Sequence, residues 1–254
     1  MPASAGSNTR VPAQTPTIVA TSIGFQSRQR GPLDWRPGPI FRFAAELARA
    51  RGDPRLCWLA TAVGDASDHL RGMYAAFAGT DLRVSHLSLF PMPNVDDIRS
   101  HLLRQDLIWV GGGSVVNLLA VWRAHGLDRI LHECWQAGVV LGGVSAGSLC
   151  WHVGGTTDSF GPELQPVTNG LGWLPYANGV HYDSEAQRRP LLQRLVAEGT
   201  LPTAYATDDG VGLVYRQSEM VEAVTEEAGK AAYLVQRGAD GQARETRIEP
   251  RRLD

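Results

Sequence analysis

Cysteine is scarce in this chain of 254 residues, with three in all, Cys57, Cys134 and Cys150. They lack the spacing of metal ligands, their number is odd, and each lies in an apolar segment where packing is the default role of a free thiol. A disulfide scaffold and a zinc cage are thereby disfavoured, and a reducing, cytoplasmic setting is expected. No apolar run approaches the roughly 20 residues of a membrane-spanning helix, so no membrane partner is expected. Residues 1–16 are rich in Pro, Ala, Ser and Thr without the apolar centre of a secretion signal. They read as a disordered lead-in to a single α/β domain over residues 17–254. Neither sign of charge is in excess, with 24 basic and 26 acidic residues. Without a basic stripe interleaved with exposed aromatics, a nucleic-acid partner has no support. The partner expected is a small molecule. No internal repeat and no interdomain linker is visible.

What is abundant is apolar residues, 43% of the chain, enough for a substantial core. Short apolar runs alternate with amphipathic segments, the pattern of a parallel sheet covered by helices on both faces. Strands are expected over Thr17–Phe25, Leu56–Val63, Val84–Phe90, Leu107–Val110, Val139–Val144 and Thr203–Ala206. Helices are expected over Ile40–Arg51, Asp65–Ala78, Val95–Leu103, Val115–Ala124 and Ser184–Glu198. After Tyr205 the runs Val211–Tyr215, Met220–Val224, Ala231–Val235 and Thr246–Ile248, separated by turn residues, predict antiparallel hairpins at a sheet edge. The expected fold is a three-layer, doubly wound α/β domain with a mostly parallel sheet.

In such sheets ligands bind beyond the carboxyl ends of the strands, and four strand ends carry chemistry. Residues 143–147 read Gly-Val-Ser-Ala-Gly after an apolar run, the signature of a nucleophile elbow that lifts Ser145 onto a tight strand-to-helix turn. A helix through Ser148–His152 would put Ser145 at its positive end, where backbone N–H groups stabilise a developing oxyanion. The second strand end is Gly111-Gly112-Gly113-Ser114. It lacks a P-loop lysine and dinucleotide spacing, and reads either as an oxyanion or phosphate cradle or as a loop needing positive φ.

The third and fourth supply an acid–base pair. Of seven histidines, His101 lies on a polar helix face, His125 and His132 flank helix candidates, and His69 and His86 have no neighbouring chemistry. His152 falls on the expected elbow helix as a packing residue. His181 follows a strand-like run downstream of the serine, as a general base should. Asp208-Asp209-Gly210 ends the next strand, and either carboxylate can orient the imidazole; an acidic turn is the plain alternative. The order Ser145, His181, Asp209 differs from that of α/β-hydrolases.

Gly111-Gly112-Gly113, Gly-Val-Ser-Ala-Gly, Gly155-Thr156-Thr157-Asp158, His181-Tyr182-Asp183 and Asp209-Gly210 together resemble the peptidase E family. These are aspartyl dipeptidases on a fold like that of class I glutamine amidotransferases, and the similarity covers most of residues 105–215. The resemblance implies a Ser145–His181–Asp209 triad, and an oxyanion hole from the N–H of Ala146 with that of Gly112 or Gly113. It implies substrate contacts from Ser114, Asp158, Arg188 and Arg189, and catalysis without metal or organic cofactor. An arginine would grip the substrate's β-carboxylate, although Arg188 and Arg189 read equally as a solvated helix face. The chain departs from the pattern at Ser114, commonly asparagine, at the acid, commonly glutamate, and in a short loop after His181. A short peptide with N-terminal Asp is the expected substrate. The rivals are a cyanophycinase-like hydrolase of β-aspartyl peptides and a metabolite-binding protein of the same fold. Pairing into a homodimer is compatible with the fold, but no residue marks the surface.

Overall fold

The computed structural model describes residues 15–27, 34–49 and 52–254. The expected lead-in therefore lies outside the described residues except for its last two positions. The expected strands and helices recur in the predicted order, with an added ribbon Gln26–Ser27/Trp35–Arg36 and added strands His152–Thr157 and Gln165–Val167. Its centre is an eight-stranded sheet. From one edge to the other the strands are Arg251–Arg252, Glu219–Thr225, Val211–Arg216, Thr17–Thr21, Val140–Val144, Leu107–Val110, Arg55–Leu59 and Arg83–Leu87. The five from Thr17–Thr21 onward run parallel.

Period-two alternation explains why these strands sit between two helical layers. Ile18, Ala20, Cys57, Leu59, Ile108, Val110 and Leu141 face one side, where they pack with Leu118, Leu119 and Trp122 of helix Val115–His125 and with Leu131 and Cys134 of helix Leu127–Gln136. Val19, Leu56, Trp58, Leu107, Trp109 and Val140 face the other, against Phe41 and Ala44 of helix Pro39–Leu47 and Met73 and Phe77 of helix Ser67–Phe77. Both faces are dry, as in a doubly wound sheet.

Six of the nine strands after the elbow form a second sheet, in the order Ala243–Ile248, Ala232–Arg237, Ala204–Thr207, Leu174–Gly179, His152–Thr157 and Gln165–Val167. The split has a local cause. Val211–Arg216 pairs antiparallel with Thr17–Thr21 and occupies the edge that a further parallel strand would take. Ala204–Thr207 pairs parallel with Leu174–Gly179 instead. Helix Arg188–Glu198 covers this sheet through a third cluster that includes Leu192, Val196, Ala204 and Val235. The C-terminal hairpins are antiparallel as expected, but one extends the first sheet and the other the second. Among the described residues no helix is long and apolar enough to cross a membrane.

The elbow helix is shorter than its sequence suggests, spanning Ala146–Leu149. His152 is not on it: it begins the strand His152–Thr157, fully buried, with Nδ1 by the Ser148 carbonyl oxygen at 3.0 Å and Nε2 by the Tyr215 hydroxyl at 3.3 Å. No apolar run announces that strand because two glycines stand in it. A Cβ on Gly154 would lie 2.1 Å from the Val167 carbonyl oxygen, and one on Gly155 2.1 Å from that of Asn178.

Candidate active site

Ser145 leaves strand Val140–Val144 with φ 57° and ψ −113°, a conformation rare for any residue but glycine. Its cost is on the order of 1–3 kcal/mol and must be met by the surroundings. They meet it by close packing: a Cβ on Gly143 would lie 2.4 Å from the Gly147 carbonyl oxygen, and one on Gly147 would lie 2.2 Å from that of Val110. Small residues two positions either side of the serine are thus a steric necessity. The amides of Ser148 and Leu149 donate to the Ser145 carbonyl, both at 2.9 Å, closing the helical turn behind the serine.

The glycine loop comes to the same place. A Cβ on Gly112 would lie 3.3 Å from Ser145 Cβ, so the loop backbone lies directly against the serine. Gly113 has φ +131°, and a side chain there would run into the Ala62 carbonyl. The next residue, Ser114, is committed to the fold. Its hydroxyl caps helix Val115–His125 by accepting the Asn117 amide at 3.2 Å, and its own amide donates to Ala62.

His181 and Asp209 follow adjacent parallel strands, and His181 Nδ1 stands 2.6 Å from Asp209 Oδ1. The hydrogen bond from His181 holds the Asp209 carboxyl below its ordinary range against the opposing effect of burial, with help from Ser184. His181 too has positive φ, 53°. The other aspartate points elsewhere: Asp208 is 4% exposed, and its Oδ2 accepts from the Ala231 amide and the Tyr233 hydroxyl. Burial pushes its pKa up despite those bonds.

One short segment ties the three strand ends together. The Ser145 amide donates to the Thr21 carbonyl at 3.1 Å, the His181 amide to Ser22 Oγ at 3.1 Å, and the Gly210 amide to the Ser22 carbonyl at 3.2 Å. The Ser22 hydroxyl also lies 2.7 Å from that of Thr207. Among the described residues no hydrogen bond joins the Ser145 and His181 side chains, and the two are coupled through this backbone tether. Ser22 is absent from the sequence-based candidates because nothing local distinguishes a serine after a buried strand.

The proposed substrate contacts divide. Arg188 is buried at the end of strand His152–Thr157: its Nε donates to Glu185, its Nη1 to the Thr156 carbonyl at 2.6 Å, and its Nη2 reaches Asp158 only at 3.9 Å. Arg189 points away, paired with Glu245 and lying over the adjacent rings of Tyr182 and Tyr233. Among the described residues no cluster of three His, Cys, Asp or Glu side chains is placed to hold a metal ion.

A family model described as Peptidase family S51 matches residues 40–223, a span that contains Ser145, His181 and Asp209. Uncharacterized peptidase YgaJ of Bacillus subtilis (strain 168) is 42% identical over 185 residues, which are 73% of this chain and 79% of that protein. Two solved structures share the fold. A putative peptidase E protein from Listeria monocytogenes EGD-e aligns with a TM-score of 0.56 at 18% identity, covering 81% of this chain and 96% of the other. A peptidase from an acI-B1 Actinobacterium aligns with a TM-score of 0.66 at 15% identity, covering 93% and 95%.

Proposed function

We propose a serine mechanism for this chain, which belongs to peptidase family S51 and is by that membership a peptidase. The observation that carries the reading is the 2.6 Å contact of His181 Nδ1 with Asp209 Oδ1, on a backbone tethered to that of the strained Ser145. With Nδ1–H donated to Asp209, Nε2 is the free base. It takes the proton as Ser145 Oγ attacks the scissile carbonyl. The N–H of Ala146, at the start of the elbow helix, and that of Gly112 or Gly113 receive the oxyanion. Collapse passes the proton to the leaving amine and leaves an acyl-enzyme. His181 then deprotonates a water that attacks the ester, and the acid product departs.

The substrates proposed are short peptides, foremost dipeptides with N-terminal Asp. Arg188 supports that preference better than Arg189, because its Nη2 is only loosely held by Asp158 while Arg189 is engaged by Glu245 and two rings. A substrate carboxylate would take over the loose side of the Arg188 fork, and Asp158, exposed at the same strand end, would meet the amino group. Ser114, whose amide, carbonyl and hydroxyl are all engaged within the fold, holds the glycine loop in place rather than touching the substrate.

Purified protein assayed on matched α- and β-linked Asp-X dipeptides is expected to prefer the α series. Ser145→Ala should lower kcat/KM by on the order of 10⁴ or more with the fold unchanged by circular dichroism, and a fluorophosphonate should label Ser145 in the wild type. Full turnover by Ser145→Ala would refute the serine mechanism. A faster β series would transfer the chain to the cyanophycinase-like class. Arg188→Ala should lose the preference for Asp and Arg189→Ala keep it.

A further inference from the structure

The chain has a single lysine, Lys230, and it lies at the acidic side of the candidate base. Its Nζ donates to Asp183 Oδ2 at 2.5 Å. The other oxygen of that carboxylate accepts the backbone amide of Asp209 at 2.9 Å. Asp209 in turn holds His181 Nδ1. Four groups therefore run in series from the ammonium to the imidazole, and the carboxylate in the middle bonds at both ends. The next residue along, Ala231, gives its amide to Asp208 at 3.0 Å, so the turn before strand Ala232–Arg237 serves both aspartates of the Asp-Asp-Gly segment.

We infer that Lys230 and Asp183 are a positioning pair, which fixes the main chain at Asp209 and sets the net charge felt by the His181–Asp209 couple. This rests on the serine mechanism proposed above. The charges around the couple make the ammonium necessary. Asp183 and Asp208 belong to the turns on either side of it, Glu227 packs against Gly210, Ser184 is the uncharged neighbour, Arg247 acts on Asp208 from strand Ala243–Ile248 while paired with Glu249, and Lys230 is a cation that faces Asp183, Asp208 and Glu227 together. Carboxylates near an imidazole favour its protonated form, and a base that is already protonated cannot accept the serine proton. One ammonium offsets one of these carboxylates. The same pairing appears in the carboxyl itself: burial opposes the Asp183 charge, and the hydrogen bonds from Lys230 and the Asp209 amide outweigh it, holding its pKa low.

The sign of the effect separates an electrostatic role from mere packing. Lys230→Met leaves Asp183 ionised and unopposed, so His181 keeps its proton to higher pH and the acid limb of kcat/KM moves up. Asp183→Asn removes the anion and leaves the cation, so the limb moves down. Each shift should be about half a pH unit to one unit for charges this close to solvent, with kcat rather than KM taking the loss. The double variant Lys230→Met/Asp183→Asn should bring the limb back near the wild-type position, and Lys230→Arg should hold it there.

The test is the pH profile of these four variants, beside an NMR titration of the His181 imidazole in each, which requires no turnover. Opposite shifts that cancel in the double variant establish the pair. Shifts of one sign, or none, overturn it. If Lys230→Met does not fold, Asp183→Asn decides alone: a downward shift supports the pair, and an unchanged or raised limb refutes it. Full turnover by Ser145→Ala would refute the serine mechanism instead, while the imidazole titration would still report whether the two charges act on His181.

Discussion

Ser22 accepts the main-chain amide of His181 through its hydroxyl at 3.1 Å, a contact between residues 159 apart in the chain. The same hydroxyl lies 3.2 Å from the Thr207 carbonyl, to which it donates, so it bonds on both sides of the second sheet's active end. One buried side chain at the tip of the strand Thr17–Thr21 thus sets the distance between the Ser145 turn on the first sheet and the candidate base on the second. Ser22→Ala would leave the His181 amide without its acceptor in a place closed to water. A loss of about 1–3 kcal/mol in stability is expected, together with a fall in kcat that exceeds any change in KM. Denaturant unfolding and steady-state kinetics on the same preparation would check both parts.

The backbone at Ser145 makes a second prediction, in which stability and activity diverge. Ser145→Ala keeps the Cβ and hence the strain at φ 57°, and its melting temperature should stay near that of the wild type. Ser145→Gly relieves the strain at some cost in unfolded-state entropy. A net gain of about 1 kcal/mol is expected, or roughly 2–4 °C for a chain of this size. Differential scanning calorimetry of the two inactive variants would show whether the elbow is strained.

Asp208 and Asp209 are adjacent in sequence and opposite in environment. Asp209→Asn removes the acceptor that orients His181 and should lower kcat by on the order of 10³–10⁴. Asp208→Asn keeps a carbonyl oxygen for the Ala231 amide while relieving the cost that burial places on this carboxylate. Activity near wild type and equal or higher stability at pH 7 are expected for it. The reverse order of effects would make Asp208 the third member of the triad.

His152 predicts the acid limit of the fold. Burial pushes its pKa down to about 3, so the folded protein holds it neutral where the unfolded chain would charge it. A depressed pKa means that the contribution to stability is complete above the unfolded value, near 6.5, and is lost as pH falls from there towards 3. The slope is about 1.4 kcal/mol per pH unit. His152→Gln removes this titration, and its stability should decline less steeply than that of the wild type between pH 6.5 and 4.5. Urea unfolding at several pH values would measure the difference.

Much of this architecture is legible in local pattern, because its causes are local. Unbroken apolar runs such as Leu56–Leu59 and Leu107–Val110 announce strands buried on both faces, and the glycines at 143 and 147 announce a tight turn whose close approaches tolerate no Cβ. His181 and Asp209 stand out as polar residues that follow strands, since a doubly wound sheet brings those ends to one edge. The strand His152–Thr157 was illegible: its glycines exist for neighbours that only the assembled sheet supplies.

The remainder depends on pairings between distant segments. That Val211–Arg216 closes the first sheet, that Ser22 bridges to the second, and that Lys230 meets Asp183 are contacts across large loops. No periodicity encodes them, because each residue taken singly is an ordinary strand end, turn or surface charge. The sequence does not distinguish Asp208 from Asp209 for the same reason. Side chains alternate along the chain, but which direction is buried against Ala231 and Tyr233 and which faces the imidazole is settled by the turn and strand packed beside them.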